Sequence, residues 1–210
     1  MSRAQPAWPG AAGLPARRPR LRGLVAWSGG LQARRAARAA RQAAAHRLYG
    51  DLVGRARSPA FFRDLGVPDT PEGRFEMIGL HAALILLRLR REGAAGRALG
   101  QALFDLMIAD LDQSLRELGI GDLGVGRQVK RLAGQFYARL HALDVALGDG
   151  AAADRLGPML RANVWGGGRE PDADQVATLA DYLVRSARCL ESQSACALLR
   201  GEAAFPDLKA

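Results

Sequence analysis

β-Branched residues are scarce in this chain: Val, Ile and Thr together supply 15 of its 210 residues. Strands rely on such side chains to cover a pleated surface. No run shows them in period-2 alternation, so a sheet protein is excluded. Cysteine is nearly absent. The only two, Cys189 and Cys196, are spaced neither as a disulfide framework nor as metal ligands. Two helical turns apart, they can share a buried face as structural thiols of a reducing compartment. Three scattered histidines, His46, His81 and His141, make no zinc site. Lysine is reduced to Lys130 and Lys209 against 28 arginines, a bias that points to GC-rich coding more than to binding chemistry. The longest apolar run, MIGLHAALILL at 77–87, falls short of the roughly 20 residues that span a bilayer. No h-region of a secretory signal is present, and no Ser or Cys nucleophile stands with a base.

What the chain does have is helix-forming composition. Ala and Leu account for 71 residues, and both lose little entropy in a helix. The expected fold is all-α: a compact helical domain of roughly six to seven helices with a disordered or helical basic N-terminal arm. The net charge of +9 is carried unevenly: the first 50 residues hold ten Arg and no Asp or Glu, while the other 160 hold 20 basic and 21 acidic residues. A near-neutral body with a basic arm suits an anionic partner such as lipid head groups, RNA or a ribosome surface. A disordered tail, or a start assigned too far upstream, explains the arm equally well. Residues 1–47 are also Arg-rich and acid-free like a transit peptide, but they lack its serine richness and contain four prolines.

Residues 1–30, with Pro6, Pro9, Pro15 and Pro19, show no periodicity and read as disordered. A helix is expected from Leu31 to about Arg57, with Leu48, Tyr49, Leu52 and Val53 as its docking stripe. SPAFFRDLGVPDT interrupts, pinned by Phe61, Phe62 and Leu65. Thr70-Pro71-Glu72 is a helix start. The helix that follows, to about Glu92, is apolar nearly all round and should lie at the centre. Gly93 ends it. The next helix, about Ala95–Leu118, steps through Phe104, Met107/Ile108, Leu111, Leu115 and Leu118. Its polar side carries Asp105, Asp110, Asp112 and Glu117. Another, about Val125–Leu147, steps through Val129, Leu132/Ala133, Phe136, Leu140, Leu143 and Leu147, with Arg127, Lys130, Arg131 and Arg139 opposite. These two should form an antiparallel hairpin. The acids of the first form a solvated face or pair with the basic helix. A shorter piece near 151–164 and a GGGREP linker at 166–171 follow. Asp172 and Gln175 then open a final amphipathic helix with a capping box, and Phe205 anchors the tail. The domains so read are a basic arm at 1–30, a helical domain at 31–165 and a C-terminal helical extension at 172–210 packed on it.

Gly119, Gly121 and Gly124 spell G-x-G-x-x-G, the dinucleotide fingerprint. That motif works between a strand and a helix, and the segment before it has a helical period. No Lys-Ser/Thr follows Gly126, so the Walker pattern fails too. Gly119 reads instead as a helix C-cap, and Gly124 or Gly126 as the start of the next helix. Tyr137, His141 and Asp144 share one helix face, as either a proton relay or a hydrogen-bonded seam. Asp105, Asp112 and Glu117 lack the second acidic helix a metal site would need. No cofactor, metal or catalytic set is expected, and the protein reads as a binding module, not an enzyme.

Two blocks, VPDTPEGRFEMIGLHAALILLRLR (67–90) and GQALFDLMIADLDQSLRELGIGDLGVGRQVKRLAGQFYARLHALD (100–144), resemble the ubiquinol–cytochrome c chaperone family. The similarity extends more weakly over 48–67 and to about 165. Val67–Thr70, Gly73–Ile78, Leu80-His81, Leu103–Asp105, Asp110–Asp112, Leu115–Asp122, Val125–Arg127 and Phe136–Arg139 occupy the family's motif positions. Leu111, Ile120, Arg127 and Ala138 depart mildly from it. The resemblance implies an all-α, non-enzymatic assembly factor for ubiquinol–cytochrome c reductase (respiratory complex III). It implies as partner newly made cytochrome b or another subunit of that complex, with a ribosome and a small partner protein in mitochondrial members. A peripheral contact with an anionic membrane surface fits the arm, and DNA is not expected. A client groove is expected around Phe75, Met77, Phe104, Met107 and Phe136, unless these are core residues. The motif positions Asp69, Arg74, Asp105, Asp112, Arg116, Asp122 and Lys130, with Phe75 and Tyr137, are the candidate partner-binding residues; Asp69 and Asp122 equally suit turns. The expected location is a bacterial cytoplasm at the inner membrane, with the mitochondrial matrix as alternative. Two rival functions remain: an RNA- or ribosome-binding regulator acting through the arm, and a nucleotide-dependent enzyme.

Overall fold

The computed structural model describes residues 22–148, 153–166 and 170–208. Of the stretch 1–30 expected to be disordered, residues 1–21 lie outside them, as does the middle of the GGGREP linker. The described residues contain eight helical segments and no strand: α1 Arg22–Ala56, α2 Pro59–Arg63, α3 Pro71–Arg90, α4 Gly93–Glu117, α5 Asp122–Gly148, α6 Ala153–Val164, α7 Ala173–Ser192 and α8 Ala195–Leu199. No helix among the described residues is long and apolar enough to cross a membrane. Two units emerge, one ending at Ala37 and the other comprising Arg38–Ala210. Helix α1 begins at Arg22, so residues 22–30, part of the stretch expected to be disordered, are instead helical; the Ala- and Arg-rich run after Leu31 favours helix, and an established helix extends at little cost. In the first unit, Leu31, Arg34 and Arg35 are exposed.

The second unit is organised around α3. Thr70 caps it, its Oγ1 accepting from Gly73 N at 3.2 Å, and Pro71 fills the first turn. From Glu76 to Ile85 every residue is buried, as the all-round apolar run predicts, and α4, α5, α6 and α7 pack on it. On α4 the buried stripe is Leu99, Leu103, Met107, Leu111 and Leu115. This differs from the expected stripe at both ends. Phe104 is only half-buried, and Leu118 sits at the C-cap, 59 % exposed.

The glycine motif is a turn. Gly119 has φ +81°, its N–H reaches Arg116 O at 2.9 Å, and Ile120 N–H reaches Leu115 O at 3.2 Å. That is the paired bonding of a Schellman cap, with Ile120 packed beside Leu115. Helix α5 then starts at Asp122, ahead of both glycines expected to open it. The acidic and basic faces of this hairpin do not pair with each other. Asp105 accepts from Gln101, Glu117 from Gln113 and Asp112 from Arg116, all within α4, while Asp110 turns to Tyr49 of α1.

Beyond the hairpin, Trp165 Nε1 donates to Leu65 O at 3.2 Å. Asp172 and Gln175 form the expected capping box at the start of α7. His81 is fully buried; Nδ1 is 2.7 Å from Met77 O, and Nε2 is 2.8 Å from the Tyr182 hydroxyl. The carbonyl can only accept, so Nδ1 carries the proton and Nε2 accepts from the phenol. Phe61 and Phe205 ring this imidazole with centroids at 5.7 and 5.0 Å. Burial pushes its pKa down to about 4. The C-terminal segment is fastened to the body by arginines. Arg55 donates to Phe205 O and Asp207, and Arg185 to Asp207 O and Leu208 O. The shared buried face expected for the cysteines is not formed. Helix α7 ends at Ser192, leaving Cys189 half-buried and Cys196 exposed on α8.

Candidate functional site

A cavity of about 630 Å³ opens in the second unit between the N-terminal half of α3, the C-terminal half of α4 and the middle of α5. Tyr49 and Arg57 near the end of α1, and Ala162 and Asn163 of α6, complete its rim. A volume of this size falls in the range of ligand pockets. One wall is apolar: Phe75, Leu111, Leu115 and Leu132 pack with Val125 into a small cluster separate from the main core.

The polar side of the cavity is built around two buried charges. Arg139 of α5 donates through Nη2 to Glu76 Oε1 of α3, and only 8 % and 9 % of the two side chains is exposed. Glu76 Oε2 and Arg139 Nε are buried without a partner from the protein. Burial outweighs the attraction of Arg139 and pushes the Glu76 carboxyl up to about 7. Nearby, Tyr49 Oη donates to Asp110 Oδ2 at 2.7 Å, and burial together with that bond raises the phenol's pKa.

The expected partner residues divide into three groups. Asp69, Arg74 and Phe75 line the cavity. Arg74 Nε donates to Asp69 Oδ1 at 2.6 Å, which holds the Asp69 carboxyl below its usual range. Asp112, Arg116 and Asp122 form one ion-pair cluster across the α4–α5 turn: Arg116 Nε reaches Asp112 at 2.7 Å and its Nη1 donates to Asp122. These groups are solvent-exposed, so the cluster is a weak clamp on the turn. Asp105, Lys130 and Tyr137 stand away from the cavity. Tyr137 is 54 % exposed and lies against Phe104, centroids 5.2 Å apart. The two border a smaller hollow of about 330 Å³ with Leu86 and Gly100.

The groove expected around Phe75, Met77, Phe104, Met107 and Phe136 is not a single surface. Phe75 and Met107 line the cavity, Met77 and Phe136 are core, and Phe104 borders the smaller hollow. Residues two apart on a helix point roughly 200° apart, so Phe75 and Met77 cannot share a groove. Nor do Tyr137, His141 and Asp144 form either a relay or a seam. Arg90 of α3 holds Asp144 through two bonds of 2.9 and 2.7 Å, and no hydrogen bond joins the three among the described residues.

Sequence reasoning missed Glu76 and assigned Arg139 to the polar side of α5. The helical spacing carries a signal for both. Arg139 falls three after Phe136 and four before Leu143, inside the apolar stripe. Glu76 interrupts an otherwise apolar run from Phe75 to Leu80. A charge on each of two buried faces is the pattern of a paired interior site.

A family model described as Ubiquinol-cytochrome C chaperone matches residues 63–205, continuing through α7 to the Phe205 anchor. The chain is 29% identical over 155 residues to ubiquinol-cytochrome c reductase complex assembly factor 1 of Drosophila melanogaster, covering 70% of this chain and 58% of that protein. For the Xenopus laevis protein of that name the figures are 29% over 101 residues, 48% and 50%. For the human one they are 25% over 169 residues, 79% and 54%. The chain thus spans between 50% and 58% of the length of these curated relatives. The crystal structure of the Cbp3 homolog from Brucella abortus superposes with a TM-score of 0.76 at 37% identity, covering 85% of this chain and 97% of that one.

Proposed function

The chain belongs to the ubiquinol–cytochrome c chaperone family, and from that premise we propose that it assists assembly of ubiquinol–cytochrome c reductase by holding a newly made apolar segment of one subunit. Cytochrome b is the first candidate client. The cavity between α3, α4 and α5 is the observation that carries this reading. About 630 Å³ of space is walled by Phe75, Met107, Leu111 and Leu115, all from the segments that carry the family resemblance. Phe75, Leu111 and Leu115 of this wall belong to a cluster separate from the main core, while Met107 is part of the main core; together they offer an apolar surface to a membrane-protein segment. Binding, not catalysis, is the activity such a site supports.

The test uses a deletion strain complemented with the intact gene or with Phe75→Asp. Dithionite-reduced spectra of membranes should lose the b-type haem band in the deletion, regain it with the intact gene, and regain it poorly with the variant. Cytochrome b should co-purify with the intact protein. Unchanged spectra and complex III activity in the deletion strain would refute the assignment.

A second reading rests on the N-terminal charge, ten Arg without one acid in the first 50 residues. Near an anionic bilayer each such residue contributes about 1 kcal/mol. We place the protein at the cytoplasmic face of a bacterial inner membrane, with the mitochondrial matrix as the alternative. If the arm instead binds RNA or a ribosome, retention on RNA will fall steeply with salt and vanish when residues 1–47 are removed.

A further inference from the structure

The buried pair at the cavity has a chemistry of its own. Above about pH 7, where the Glu76 carboxyl is ionised, Glu76 and Arg139 neutralise each other; each is more than nine-tenths buried, and each keeps one buried polar atom without a protein partner: the acceptor Oε2 and the donor Nε–H. Buried polar atoms without partners are costly. These two belong to side chains that form part of the cavity wall. A guest that satisfies both must present a donor and an acceptor side by side and must bring no net charge. A carboxylate would face Glu76, and an ammonium would face Arg139. Backbone amides of a helical segment are already committed to the helix. Of the neutral side chains that both donate and accept, a hydroxyl must serve both partners through one oxygen, whereas a carboxamide offers separate atoms: its N–H₂ donates to Glu76 and its C=O accepts from Arg139.

We propose that the Glu76–Arg139 pair is the specificity element of the cavity, and that it selects an apolar client segment carrying one Asn or Gln side chain. The inference rests on the cavity being the client site. It adds a chemical criterion for which segment enters. A purely apolar helix would leave the two polar atoms beneath it unsatisfied, whereas one bearing a carboxamide would bury its own polar group on matched partners.

Binding of two fluorescently labelled 16-residue Leu/Ala helical peptides to the full chain tests this, one with Gln and one with Leu at its centre. Anisotropy titrations should give at least about tenfold tighter binding of the Gln peptide. In Glu76→Leu/Arg139→Met that order should disappear or invert. The double variant replaces a buried pair by apolar side chains of similar size, a change that proteins commonly tolerate, and far-UV circular dichroism checks its fold. The comparison of the two peptides on the unaltered protein needs no variant to fold. Equal affinities, or a preference for Leu, would overturn the inference and leave the client cavity standing; solvent then satisfies the two atoms. A Gln preference that survives in the double variant would remove the pair from the role. If neither peptide binds, both the inference and the cavity reading fail.

Discussion

Removing Arg139 alone should damage this protein far more than removing Arg139 and Glu76 together. In Arg139→Met the Glu76 carboxylate stays behind α3, with about nine-tenths of its side chain out of water. Leaving one member of a buried pair uncompensated costs about 3–5 kcal/mol, a large part of the ~5–15 kcal/mol that holds a domain together. Glu76 has one escape, which is to take up a proton. Burial already puts its pKa up at about 7 with Arg139 beside it, and without the guanidinium it rises further. At pH 5 the carboxyl is therefore neutral, and only the lost hydrogen bond and packing remain, about 1–2 kcal/mol. At pH 8 the full penalty applies. The double variant Glu76→Leu/Arg139→Met buries no charge and should match or exceed the unaltered protein by up to about 4 kcal/mol. Urea unfolding followed at 222 nm, at pH 5 and pH 8, measures all three. The reasoning is refuted if Arg139→Met loses the same stability at both pH values, or if the double variant is no more stable than the single at pH 8.

Other perturbations have equally definite expected outcomes. Glu76, with its folded pKa raised, stabilises the fold below about 4.5 and loses that contribution as pH rises through about 7, whereas His81, lowered from 6.5 to about 4, contributes fully above 6.5 and loses its share as pH falls through 4. The two ramps oppose each other, so Glu76→Gln should expose the His81 ramp as a loss of up to about 3 kcal/mol between pH 6.5 and 4, measured by the same unfolding series; a profile as flat as the unaltered protein's would refute the pairing of these effects. Gly119→Ala should cost about 1–2 kcal/mol for its positive φ alone, read as a lower urea midpoint. Gly201→Ala should cost more, because φ is +89° and the added methyl would lie 2.4 Å from Ala44 O; limited proteolysis should then cut within residues 194–208 first, and equal losses at the two glycines would contradict this. Thr70→Ala should cost about 1 kcal/mol by releasing the cap on Gly73 N, and Thr70→Ser should restore most of it.

How far the fold was legible in the sequence depended on whether local chemistry determined the outcome. The cap at Thr70, the capping box at Asp172 and Gln175, the turn at Gly119 and the central position of α3 all follow from residues within a turn or two of each other. So does the refusal of G-x-G-x-x-G as a nucleotide site, because the helical period before it was visible. The buried stripe of α4 was harder. Leu103 and Phe104 are adjacent and both apolar, and only the neighbouring helices decide which faces inward. The separation of Cys189 from Cys196 depends on a helix stop at Ser192 that no proline or glycine marks. At the candidate site, Asp69, Arg74 and Phe75 line the cavity and are among the motif positions singled out in the sequence. Glu76 and Arg139 were not, because charged residues are assigned to the surface by default, and their meeting across two helices 63 positions apart is a tertiary fact.

The presence of that pair also bears on the proposed function. Apolar side chains at both positions would continue the runs around them and would give a core at least as stable. The charges sit instead at a cavity of about 630 Å³ lined by the family-resembling segments, beside an apolar cluster separate from the main core. Under the proposed function, local opening at such a small cluster would cost less than global unfolding. A chaperone in the proposed sense needs this combination. Its guest must enter and leave, so the wall must yield, and one segment must be preferred among many apolar ones, so the floor must discriminate. Apolar contact alone separates similar guests weakly, while a buried donor and acceptor that must both be met reject the wrong guest strongly. Under the proposed function, the buried Glu76–Arg139 pair beside that small apolar cluster is the feature that would discriminate among apolar guests.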